Sequence, residues 1–94
     1  MIKVSVLYPT GDDATFDIDY YKTTHMAIVE RTMKPSRIEV DQGNDGPYIA
    51  AGHLYFESSE ALQAAMAQGG EAMADVPNFT NTTAAMQVST VVER

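Results

Sequence analysis

Acid–base chemistry at neutral pH needs a side chain that exchanges a proton there, and this chain offers two histidines, His25 and His53. An unperturbed imidazole titrates near neutrality. His25 lies in the run Asp19-Tyr20-Tyr21-Lys22-Thr23-Thr24-His25-Met26-Ala27-Ile28-Val29-Glu30, four positions after Tyr21. On a helix that spacing puts Tyr21 and His25 on one face, at the edge of the stripe made by Ile28 and Val29. Two readings are open for His25. In one it is a partly buried histidine bonded to backbone or to Tyr21. In the other it is a general acid or base at the edge of a pocket, neither fully desolvated nor free in water. His53 interrupts the apolar run Tyr48–Phe56, where strand alternation turns it the same way as Tyr55. These two either line a pocket or meet a partner across a pair of sheets.

A loop before the last strand adds Asn78 and Phe79. There Phe79 could close a pocket and Asn78 could polarise a ligand carbonyl. Asp75 in the same loop reads as turn chemistry, bonding nearby backbone while Pro77 fixes the bend. Tyr20 falls on a different α-helical face from His25 and reads as a surface aromatic.

Several chemistries are excluded by what is missing. The absence of cysteine removes disulfides, thiolate metal sites and a thiol nucleophile. Two histidines in separate elements, with no acidic ligand at a recognised spacing, fall short of a metal set. No glycine loop opens a helix after a strand as a phosphate cradle would, and no arginine cluster suggests haem propionates. No metal or cofactor is therefore expected. Six Lys and Arg against thirteen Asp and Glu give a net charge of -7, which repels nucleic acid and anionic lipid. No segment is long and apolar enough for a membrane span, and the N-terminus lacks a signal-peptide pattern, so a cytoplasmic protein is expected.

The elements that must hold these residues follow from period and punctuation. Ile2, Val4, Val6 and Tyr8 alternate with Lys3, Ser5 and Leu7, a half-buried strand. Asp17 can cap a helix running to about Met33, with Phe16 stapled onto Tyr21 and Pro35 enforcing the stop. Ile38 and Val40 mark a second strand, and Gly43-Asn44-Asp45-Gly46-Pro47 a turn. In the third strand Gly52, Leu54 and Phe56 share a face opposite Ala51, His53 and Tyr55. Ser58 caps a second helix that ends at Gly69-Gly70, a short helical piece follows near Glu71–Val76, and a last strand spans about 84–92. The order is βαββαβ in one domain, residues 1–94. It fits an α+β, ferredoxin-like fold, a four-stranded antiparallel sheet with both helices on one face. An open α+β sheet of different strand order is the alternative.

Two helices cover one side of such a sheet. The other side would carry Ser5, Leu7, Ala51, His53, Tyr55 and Ser89, which suits a face that meets a partner. A homodimer through this open face is expected.

The strand Ile2–Pro9, the helix segment Phe16–Glu30, the passage Gly52–Met66 and the later Ala74–Thr80 together resemble the EthD family of dimeric α+β barrel proteins. The family's helix histidine falls on His25. The resemblance implies a homodimer whose sheets pack face to face, with a pocket near the helices of each protomer. It also implies relatives that include cofactor-free monooxygenases, isomerases, cyclases and haem-binding enzymes, though the cysteine of isomerase relatives is missing here. Two functions follow as expectations. One is a cofactor-independent enzyme, with His25 as proton shuttle and Tyr21, His53, Tyr55, Asn78 and Phe79 contacting a small apolar or aromatic oxygenated metabolite. The other is a non-catalytic ligand-binding or accessory dimer.

Overall fold

The computed structural model describes all 94 residues. Strand β1 (Ile2–Pro9) leads to a helical run made of α1 (Ile18–Tyr20), a π-helical turn (Tyr21–His25) and α2 (Met26–Met33). Strands β2 (Arg37–Gln42) and β3 (Tyr48–Phe56) form a hairpin. Helices α3 (Ser59–Met66) and α4 (Gly70–Asp75), a 3-10 turn (Val76–Asn78) and β4 (Ala85–Thr90) complete the chain. The sheet order is β2-β3-β1-β4 with every pairing antiparallel, so the ferredoxin-like arrangement is the one present. No helix is long and apolar enough to cross a membrane.

The boundaries have local causes. Asp17 is extended and its carboxylate accepts the Tyr20 N–H at 3.1 Å, satisfying one of the free donors of a helix start. Ser58 does the same for α3, its hydroxyl accepting from Ala61 N–H at 3.1 Å. Phe16 packs on Tyr21 with ring centroids 5.0 Å apart, the expected staple. Helix α2 stops one residue before Pro35, at Lys34, whose φ of 53° is left-handed.

Two details differ from the expected elements. The last strand is shorter, ending at Thr90. The first helix is not a uniform α-helix, because the Met26 N–H bonds back to the Tyr21 carbonyl, five residues earlier. Such π turns are rare and bring a residue round over the one five positions before it.

Register sets the two faces of the sheet. Val4 pairs with Leu54 and Val88, and Ser5 with His53 and Gln87. The first set faces the helices, where Val4, Tyr8, Tyr21, Met26, Val29, Leu54, Phe56 and Phe79 make the core. The second set faces away from them. The sheet is therefore a wall with a packed side and an open side, and the whole chain is a slab 38 × 33 × 18 Å.

Candidate functional site

Asp75 ends α4 and is buried, and a carboxylate out of water has to find donors. It finds three. Its Oδ1 accepts from the Tyr20 hydroxyl at 2.7 Å and from the Asn78 side-chain amide at 2.8 Å. Its Oδ2 accepts from His25 Nδ1 at 3.0 Å. Burial pushes the Asp75 carboxyl upward, but the bonds from Tyr20, Asn78 and His25 outweigh it and hold it below its ordinary value. The group is ionised at neutral pH.

That charge fixes the imidazole. An ionised carboxylate can only accept, so the Nδ1 that faces it carries the proton. Nε2 is then the basic nitrogen. The ring itself is held between aromatics, stacked on Tyr21 at 5.3 Å and 14°, with Phe79 tilted against it at 4.6 Å. At 6 % exposure His25 is more deeply buried than an edge position would make it.

What His25 lines is a cavity of ≈740 Å³ between sheet and helices. Val4, Val6, Tyr8, Leu54 and Met86 form its sheet wall. Val29, Met33, Met66, Ala72 and Met73 form the helix wall, and the 76–84 segment closes one end. This volume falls in the range of small-molecule sites, and the lining is mostly apolar with few convergent polar groups. Among these His25 is the one imidazole, the side-chain type suited to proton exchange at neutral pH.

Of the residues singled out in the sequence, the structure gathers His25, Tyr21, Asn78 and Phe79. Tyr21 and Phe79 pack the His25 ring rather than the cavity wall. Asn78 serves Asp75 and borders a separate groove of ≈590 Å³ beside Phe16 and Asp17. His53 and Tyr55 lie apart, on the open face of the sheet. There His53 Nδ1 lies 2.9 Å from the Ser5 hydroxyl and Nε2 2.9 Å from Asp41 Oδ2, while the Tyr55 hydroxyl donates to Glu39 at 2.7 Å.

Asp75 and Tyr20 are the residues the sequence reading placed wrongly. Asp75 is a buried acceptor for His25 and not a turn residue, and Tyr20 is its donor and not a free surface aromatic. The π turn is the reason. Five residues separate Tyr20 from His25, a spacing that splits them on an α-helix and aligns them across a π turn. No three His, Asp or Glu side chains converge as a metal site.

The EthD domain family matches residues 9–83. The chain belongs to the EthD family. An EthD-like protein from Ralstonia eutropha has a crystal structure that superposes with a TM-score of 0.88 at 34% sequence identity, covering 99% of this chain and 94% of that one. A second EthD family protein, from Bacillus halodurans, gives a TM-score of 0.76 at 18% identity over 98% of this chain and 99% of its own. SnoaB of Streptomyces nogalater, a cofactor-independent oxygenase solved as a mutant, gives 0.66 at 13% identity, with 99% and 93% covered. The last two likenesses speak for the fold. No curated protein matches the chain.

Proposed function

We propose that this EthD family chain is a cofactor-independent enzyme, of monooxygenase or isomerase/cyclase type, that moves a proton on a small apolar or aromatic oxygenated metabolite. The observation that carries the reading is the bond from His25 Nδ1 to the buried Asp75 carboxylate, on the wall of a ≈740 Å³ apolar cavity. His25 Nε2 takes a proton from the bound ligand, and the imidazolium formed is stabilised by Asp75 at 3.0 Å. Tyr20 and Asn78 keep that carboxylate ionised and in place. The reading calls on no metal or cofactor. SnoaB supports it to the extent that cofactor-free chemistry occurs on this fold.

The test uses an aromatic 1,3-dicarbonyl, 2-acetyl-1-tetralone, whose acidic C–H exchanges with deuterium on enolisation. The protein should accelerate that exchange, and His25→Gln should lower the acceleration by about 10²-fold while leaving the melting temperature near that of the parent. Binding of the diketone without any acceleration would make the chain a non-catalytic ligand carrier instead.

A further inference from the structure

Two buried hydroxyls beside His25 have no part in the proton exchange described above. Tyr8 stands on β1 and lines the cavity together with His25. Tyr21 stacks on the His25 ring and meets Tyr8 edge-on, with ring centroids 5.5 Å apart. Both tyrosines belong to the buried core. A phenol hydroxyl is costly to bury when an unsubstituted ring would fill the same space. Phe16 and Phe79, packed on the same two rings, show that phenylalanine suits these surroundings. Packing does not need the oxygens.

Their placement is also prepared. Gly52 on β3 leaves room for the Tyr21 hydroxyl against the sheet, where any Cβ would run into that oxygen. Burial raises both phenols, so both hydroxyls are protonated at neutral pH and able to donate. Of the two, Tyr8 is the one that lines the cavity, beside His25.

We propose that the cavity selects ligands bearing a phenolic or enolic oxygen and holds them as the oxyanion, with Tyr8 donating to that oxygen and Tyr21 supporting Tyr8 from behind. This rests on the proton-exchange reading of His25 and names the substrate class of that site. The proton leaves the ligand for His25 Nε2, the imidazolium is held by Asp75, and the negative charge stays on the ligand oxygen beside Tyr8. The net charge of the site is unchanged by the step. In a cavity with apolar walls a hydrogen bond to such an oxygen is stronger than in water.

The probe is 2-naphthol, and 2-methoxynaphthalene is its non-ionisable control. With naphtholate absorption as the readout, the bound naphthol should ionise about one pH unit below the free compound, equivalent to about tenfold tighter binding of the anion. Tyr8→Phe should remove most of that shift and leave the affinity for 2-methoxynaphthalene unchanged. Tyr21→Phe should remove part of it, with no further effect in the Tyr8→Phe background, because Tyr21 is a positioning residue acting through Tyr8. If the shift survives Tyr8→Phe, or is absent while 2-methoxynaphthalene binds, the oxyanion proposal is overturned and the His25 reading still stands on its exchange assay. A loss in Tyr8→Phe that falls equally on the methyl ether assigns Tyr8 to packing and also overturns it. If neither naphthalene binds, the cavity reading fails and takes this proposal with it.

Discussion

Three donors around one carboxylate make Asp75 sensitive to pH in a way that a turn aspartate is not. Its folded value lies below the ordinary 3.8, because the bonds from Tyr20, Asn78 and His25 outweigh the effect of burial. A group depressed on folding stabilises the fold above its unfolded value and loses that contribution as pH falls through the folded one. Asp75→Asn should therefore lower the melting temperature at pH 7 by several degrees, since it removes the charge and turns one acceptor oxygen into a donor facing other donors. The gap between parent and variant should close below about pH 4, as the parent's carboxylate is protonated. Melting curves at pH 7 and pH 3 decide this, and a gap of constant size would mean that the charge contributes nothing. The same substitution should reduce deuterium exchange at neutral pH, because the imidazolium loses its counter-charge. None of this was legible in the sequence around Asp75. Its partners His25 and Tyr20 lie 50 and 55 positions upstream, and Pro77 and Asn78, two and three positions after it, fit a turn equally well.

The helical run that carries His25 works only because the sheet beneath it has a gap. Tyr21 enters the π turn with its ring against the sheet, and the gap is at Gly52. Gly52→Ala would push the Tyr21 hydroxyl off the sheet, and with it the ring on which His25 is stacked. Overpacking of this kind should cost about 1–3 kcal/mol, measured by denaturant unfolding, and should weaken deuterium exchange without touching any group that handles the proton. A Gly52→Ala variant as stable and as active as the parent would show that the helix can shift freely. At this scale the sequence was informative wherever a residue type has one job. Asp17 and Ser58 capped where their side chains allowed, Pro35 stopped the helix, and the alternation of Val4, Val6 and Tyr8 with Ser5 and Leu7 set the faces of the sheet. A π turn has no such marker. It shifts one backbone bond by one residue, and Tyr21–His25 reads as ordinary helix.

The molecule as a whole has one covered sheet face and one bare one, and we propose that a second copy covers the bare face. Its polar side chains are already bonded sideways along the sheet: Ser5 to His53, His53 to Asp41, and Tyr55 to Glu39, which also pairs with Arg37. Groups satisfied within their own sheet lose little when water is removed from above them. Ala51 and Leu7 share the same side, directly opposite each other in the β1–β3 register. A competing surface exists on the helix side, where Met66, Met73 and Met86 are exposed around the mouth of the cavity and Val88 is exposed on the same strand as Met86. Light scattering at micromolar concentration should return twice the 10.3 kDa of one chain, with an interface of about 1,600 Å² in total. Ala51→Arg places a long charged side chain on the face turned away from the helices and should give a folded monomer, because Ala51 is not part of the hydrophobic cluster under the helices. Met86→Glu should leave the dimer intact. If Ala51→Arg stays dimeric and Met86→Glu dissociates, the two copies meet at the cavity mouth. A parent protein that is monomeric at these concentrations would mean that the side-chain ladders of Ser5, His53 and Asp41 exist to face water.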